Sequence, residues 1–106
     1  MNNNAVKLIA RIVEGTLLKG QSVPLRELLW TVDSHLHMIV SAEEINEALQ
    51  LVPPVQIIRH DGRAELAPAT VRAEAGITEA DINTAAADYK EYVSRQVEKL
   101  SRKKSR

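Results

Sequence analysis

The chain has 106 residues, a length that suits one domain with a modest core. Its composition, 44% hydrophobic and 26% charged, is typical of a soluble globular domain, and its 14 basic and 14 acidic side chains give no formal net charge. Because cysteine is absent, disulfides, thiolate catalysis and cysteine-ligated metals are excluded.

The N-terminal stretch argues against export. Residues 1–4 are polar, and Lys7 and Arg11 interrupt the apolar run that follows. No uninterrupted apolar run approaches the length of a membrane span. We therefore expect a cytoplasmic protein with no membrane partner.

Charge is distributed unevenly along the sequence. Residues 1–58 carry four basic and six acidic side chains, whereas residues 99–106 carry five basic and no acidic ones. A body that leans acidic and ends in a basic tail constrains where an anion could bind.

Apolar spacing predicts the first two helices. The first covers residues 5–19, and Gly20 is placed to end it. Residues 21–23 form a short extended connector that can add an edge strand. Pro24 suits the first position of the second helix, where its missing N–H costs nothing.

A third helix and a hairpin follow. Ser41 and Glu44 have the spacing of a capping box at the start of this helix, and two consecutive prolines after residue 52 end it. Its buried face is predicted to consist of Ile45, Ala48, Leu49 and Val52. Asp61-Gly62 then predicts a tight hairpin, since type I′ turns need positive φ at both central residues.

A long helix is predicted at the end of the chain, opened by a cap at Thr78 and Asp81. One of its faces is apolar, but the spacing between its apolar residues is irregular and does not maintain a strict heptad. The helix either packs back across the first helix or pairs with the same helix of a second chain. The candidate interface residues are Ile82, Ala86, Tyr89, Tyr92, Val93, Val97 and Leu100.

In helix order, capping box, double-proline break and Asp-Gly hairpin, residues 5–67 resemble the winged-helix superfamily, which includes many transcription regulators. The resemblance implies an α+β, mainly α fold, with a three-helix body and a wing sheet of two or three strands, followed here by a long C-terminal helix. The predicted organisation is a body at 1–68, a linker at 69–77, the helix at 78–101 and a basic tail at 102–106.

The resemblance also raises the question of DNA binding, because the third helix of that superfamily commonly enters the major groove. Here its outward face presents Glu43, Glu44 and Glu47 and no basic residue, which opposes phosphate binding. Asn46 and Gln50 could read adenine edges, but solvated polar positions are favoured.

The wing and the tail are more favourable to DNA than the third helix. Superfamily wings touch phosphates or the minor groove, and a wing arginine can enter a narrow minor groove. The alternative, weighed equally, is that Arg59 and Arg63 pair across the strands with Asp61 or Glu65. The candidate DNA-contact residues are Arg59, His60, Arg63, Arg102, Lys103 and Lys104.

No pattern indicates catalysis or a cofactor. The four glycines are scattered, and His35 and His37, two residues apart, point to different sides of a helix. Asp33, Ser34 and His35 supply the residue types of a hydrolase triad, but adjacent residues diverge on a helix. We expect no enzyme, no metal and no cofactor.

The sequence thus favours a non-catalytic, winged-helix-like module for homodimerisation or for binding another protein. The alternative is a DNA-binding transcription regulator that uses the wing and the basic tail, with the last helix as a dimer arm. Trp30, if exposed, would be the best single anchor for a protein partner.

Overall fold

A computed structural model describes the backbone of residues 3–104 and the side chains of residues 4–99. Within these residues the fold is α+β and mainly helical, as predicted, with four helices and a three-stranded antiparallel sheet. In chain order the elements are α1 (Asn3–Leu18), β1 (Val23–Pro24), α2 (Leu25–Leu36), α3 (Ala42–Leu49), β2 (Val55–His60), β3 (Arg63–Pro68) and α4 (Glu79–Lys104).

The predicted capping boxes are both present. The backbone N–H of Glu44 donates to Ser41 Oγ (3.2 Å), and Glu44 Oε1 accepts from the N–H of Ser41 (3.0 Å). Thr78 and Asp81 make the same reciprocal pair at the start of α4, with distances of 2.9 and 3.2 Å. These bonds satisfy amides that have no partner within the first turn of a helix.

The sheet has the order β1-β3-β2, so the connector before α2 does supply an edge strand, with Val23 opposite Leu66. Asp61 (φ 53°) and Gly62 (φ 76°) both have positive φ, which confirms the type I′ expectation for the hairpin turn.

The position of Pro24 relative to the second helix differs from the prediction. Pro24 has extended backbone and precedes the helix as its N-cap, so α2 begins one residue later.

One hydrophobic core joins all the elements. Its most deeply buried side chains include Ile9, Leu25, Leu28, Ile45 and Leu66. The four predicted apolar positions of the third helix are all buried. The start of α4 belongs to the same core, and this helix packs chiefly on α2 and β3. α4 therefore folds back, but onto a different surface from the first helix named by the sequence analysis.

α4 is the longest of the four helices described. Its 26 residues span about 39 Å at 1.5 Å per residue. The molecule measures 53 × 29 × 27 Å. No helix in the described part of the chain is both long enough and apolar enough to cross a lipid bilayer.

Candidate interaction surface

The segment that joins β3 to α4, residues 69–78, is bound to the side of α3. Asn46 Nδ2 donates to the carbonyl of Ile77 and Asn46 Oδ1 accepts from the N–H of Ile77, both at 2.8 Å. A Cβ at Gly76 would overlap the Asn46 carboxamide, so glycine allows Asn46 to keep this position. Asn46, one of the two side chains considered for base reading, is thus engaged in the fold.

Both ends of α3 are also capped by this part of the chain. The guanidinium of Arg72 donates to the carbonyls of Leu49 and Val52, the latter at 2.9 Å. At the other end, Glu79 Oε1 accepts from the backbone N–H of Ala42 at 3.0 Å. The contacts at Leu49 and Ala42 satisfy a carbonyl and an amide that a helix leaves unpaired at its ends, and the contact at Val52 holds the loop that follows.

The acidic character of α3 persists in the structure. Glu43 and Gln50 are exposed, and Glu44 and Glu47 are half-buried. A surface with three carboxylates repels a phosphate backbone, because the attraction that supports non-specific DNA binding comes from lysine and arginine.

The first arginine of the β2–β3 hairpin bonds to α4. Arg59 makes a bidentate ion pair with Asp81, with Nε to Oδ1 at 3.0 Å and a terminal nitrogen to Oδ2 at 2.7 Å, and it also reaches the carbonyl of Gly76. Asp81 is buried, and the hydrogen bonds from Arg59 lower the pKa of its carboxyl group from the ordinary 3.8 to about 2. The same contact raises the pKa of Arg59.

The second arginine of the β2–β3 hairpin bonds to the same helix. Arg63 Nε lies 2.8 Å from Asp88 Oδ2, with a second bond of 3.3 Å to Oδ1, and these bonds raise the pKa of Arg63. The partners of the two arginines are therefore on α4, which corrects the alternative that placed them at Asp61 or Glu65. Glu65 instead accepts a hydrogen bond from Ser22 Oγ.

These ion pairs reduce the positive charge that the β2–β3 hairpin presents to a ligand. Two of the three candidate wing residues, Arg59 and Arg63, neutralise carboxylates of their own chain, while His60 is exposed. The side chains of the tail candidates, Arg102, Lys103 and Lys104, lie outside the described residues. Sequence reasoning named Asp81 only as a helix cap and identified neither Asp81 nor Asp88 as the partner of an arginine. They lie seven residues apart, a spacing that places both on one helix face and could have indicated them.

The candidate interface residues fall into two groups. Ile82 and Tyr89 are buried against their own chain and Ala86 is half-buried, so these three do not form an open surface. Tyr92 (51% exposed), Val93 (38%) and Val97 (56%) are open. The side chain of Leu100 lies outside the described residues. We call residues 79–89 the proximal half of α4 and residues 90–104 the distal half.

Trp30 stands where the two halves meet. It projects from α2, is 44% exposed, and meets the ring of Tyr92 edge-on, with a centroid distance of 5.9 Å and an interplanar angle of 64°. Burial raises the pKa of the neighbouring Tyr89 hydroxyl, and the charge of Asp33 adds to this shift. We call Trp30, Tyr92, Val93 and Val97 the Trp30 surface.

Two clefts open beside this surface. One, of about 210 Å³, lies between α2 and α4 and includes Arg26 and Glu27 in its wall. The other, of about 500 Å³, has Asp33, Lys90 and Val93 in its wall. Trp30 and Tyr89 line both clefts, and Tyr92 lines the first. All three aromatic side chains of the sequence thus converge here.

The two histidines considered for metal binding lie at the end of α2. His35 Nδ1 lies 2.8 Å from the carbonyl of Thr31 on its own helix, and His37 ends α2 in the left-handed conformation. Within the described residues, no group of three or more metal-ligating side chains is positioned to hold an ion.

Comparison of the chain with protein-family models, curated proteins and solved structures found no match in any of the three. The geometry of this chain therefore carries the functional proposal by itself.

Proposed function

We propose that this chain is a non-catalytic, winged-helix-like module that self-associates through the Trp30 surface. The observation that carries the proposal is a cluster of exposed apolar side chains where α4 leaves the body. Four of the eight large hydrophobic side chains exposed in the described residues belong to this one surface. Contiguous exposed apolar groups of this kind mark interaction sites, whereas isolated ones do not.

The distal half of α4 supports the same reading. Every described side chain from residue 90 to residue 99 is exposed, so this part of the helix gains little from packing on its own body. An isolated helix of about 15 residues is only marginally stable in water, and most helical stability in proteins comes from packing of an apolar face. A second copy of the chain would supply that packing.

The chemistry of the surface suits a protein partner. Tryptophan and tyrosine combine a large apolar area with a polar tip and are enriched at the centres of interfaces. Trp30 already has one side fixed by its edge-on contact with Tyr92. A side chain held in this way loses little rotamer freedom on binding, which lowers the cost of association.

The winged-helix-like assignment is supported by the element order and by the sheet order β1-β3-β2. The surfaces that such a body would present to DNA are less favourable here. α3 is acidic, and the wing arginines are paired with Asp81 and Asp88. Self-association is therefore preferred over the DNA-binding alternative.

The proposal is tested by light scattering of the wild-type chain and of Val93→Asp. We expect the wild type to exceed its monomer mass of 11.8 kDa with increasing concentration, and Val93→Asp to remain at that mass. Ala87→Asp is the matched control, because it adds the same charge to an exposed position in the half of α4 that packs on the body. A wild-type mass that stays at the monomer value at every concentration would contradict the proposal.

The DNA-binding alternative has one feature in its favour, the basic residues after residue 98. It is tested by the fluorescence anisotropy of a labelled duplex at low and physiological salt, with a chain ending at Glu98 as the comparison. Binding that survives physiological salt and tail removal would make a DNA regulator the better hypothesis. Binding that disappears with the tail, or never appears, supports the protein-interaction module.

A further inference from the structure

We infer that two copies of this chain pair antiparallel through the distal halves of α4. In this arrangement, the basic end of each helix lies beside Glu27 and Asp33 on the body of the other copy. The inference rests on the proposed self-association and specifies its geometry.

The first argument is the segregation of charge. Residues 1–89 contain seven basic and twelve acidic side chains, a formal charge of −5, whereas residues 90–106 contain seven basic and two acidic ones, a formal charge of +5. The chain therefore consists of an acidic body and a basic C-terminal arm of equal and opposite formal charge. Complementary charges of this kind favour contact between an arm and a body.

The second argument is the direction of pairing. A parallel pair would place the two basic ends side by side, and like charges on facing helices destabilise a pair and select against it. An antiparallel pair would place each basic end next to the other copy's proximal half and α2. The antiparallel direction therefore keeps the two most basic ends apart.

The third argument is the presence of available carboxylates at the expected place. Glu27 and Asp33 lie in the walls of the two clefts beside Trp30. Glu27 is exposed and Asp33 half-buried, and among the described residues neither forms an ion pair. The neighbouring carboxylates of Asp88 and Glu91 are already paired, with Arg63 and Arg95.

The inferred register is the one in which the two distal halves of α4 overlap fully. Full overlap of residues 90–104 with their own copy places the two-fold axis at the centre of this range, at residue 97. Val97 then meets the partner's Val97. The two copies of Val93 lie eight residues apart along the helix axis, which is about 12 Å.

Single cysteines test this geometry, since the natural chain has none. A disulfide needs Cα atoms within about 7 Å of each other. We expect Val97→Cys to form a disulfide-linked dimer under mild oxidation and Val93→Cys to remain unlinked. Val93→Cys is the matched control because both valines are exposed on the same face of α4.

The outcomes separate this inference from the proposed function. A mass above the monomer value together with linkage of Val97→Cys alone supports both. If Val93→Cys links as readily as Val97→Cys, the pairing is parallel and the inference is wrong while self-association stands. If the mass is doubled and neither variant links, the copies meet through another face, which also overturns the inference. A monomer mass throughout overturns the proposed function itself.

A charge reversal tests the contact between arm and body. Asp33→Lys is expected to weaken the dimer about three- to tenfold at low salt, with a smaller effect at high salt as the charges are screened. Glu14→Lys is the control, because it makes the same charge change at an exposed position on α1. Equal weakening by both variants would show a general effect of charge and would contradict a specific contact at Asp33.

Discussion

The two halves of α4 form one continuous helix and have opposite relations to the rest of the molecule. The proximal half buries Ile82, Ala85 and Tyr89 in the common core. Its aspartates form ion pairs with both arginines of the β2–β3 hairpin. In the distal half, every described side chain is exposed, although Val93 and Val97 are as apolar as residues in the core. Apolar periodicity therefore indicates a helical face that favours burial, and the rest of the fold decides which turns of that face are covered.

The ion pairs show the same difference. The pair between Arg59 and Asp81 joins elements distant in sequence and fixes a buried carboxylate. The pair between Glu91 and Arg95 joins neighbouring turns of one helix, with both side chains largely exposed. Pairs of the second kind contribute a few tenths of a kcal/mol, so the tertiary pair in the proximal half matters more for the fold.

The largest expected effect is on the free energy of unfolding, when one apolar side chain is truncated in each half of α4. Ile82→Ala removes buried methyl groups from the core and is expected to lower the free energy of unfolding by about 2–5 kcal/mol. Val97→Ala is expected to change the stability of the monomer by less than about 0.5 kcal/mol, because its site is exposed. Urea unfolding, at protein concentrations low enough to keep the chain monomeric, measures both changes. Equal losses of stability would contradict the distinction between the two halves of α4.

The next effect concerns the charge of Asp81 in the proximal half. Asp81→Asn keeps a capping oxygen but loses the charge paired with Arg59, and is expected to cost about 1–3 kcal/mol at pH 7. The folded-state pKa is lowered from 3.8 to about 2, so this contribution is present above pH 4 and is lost as the pH falls towards 2. Unfolding curves of wild type and variant should therefore converge over this range. A constant difference would contradict the assignment.

A smaller effect is expected at the segment that leads into α4. Gly76→Ala displaces the Asn46 carboxamide and breaks its two hydrogen bonds to Ile77, with an expected cost of about 1–2 kcal/mol. Gly15→Ala is the control. No atom lies within 4 Å of a Cβ added there, and alanine in a helix interior should stabilise the chain by about 0.5–1 kcal/mol. Thermal unfolding should show shifts of opposite sign, and a neutral Gly76→Ala would mean that Asn46 does not hold the segment.

The smallest expected effect is on nucleic-acid binding. Arg63 is paired with Asp88, so Arg63→Ala should leave the affinity for a labelled duplex and its salt dependence unchanged. Fluorescence anisotropy measures both quantities. A weaker affinity and a flatter salt slope for the variant would show that this arginine leaves the proximal half to bind phosphate, and would favour the DNA-binding alternative.

Much of the fold was predictable because its signals are local. The capping boxes at Ser41 and Thr78 and the turn at Asp61 depend on residues within a few positions of each other. The buried face of α3 was also predicted, since helical spacing places its apolar residues on one side. Of the candidate site, the sequence indicated the apolar stripe of α4 and named Trp30 as a conditional anchor, but it did not show which part of the stripe is open.

The sequence by itself determined the helices, the hairpin, their boundaries to within about three residues, and the separation of an acidic body from a basic arm. Only the tertiary structure decided that Arg59 and Arg63 bond to α4, that Asn46 holds residue 77, and that the stripe is covered as far as Tyr89 and open from Tyr92 to Val97. The physical reason is that caps and turns are set by short-range backbone geometry. Burial and ion pairing between distant residues depend instead on where packing of the whole core brings each side chain.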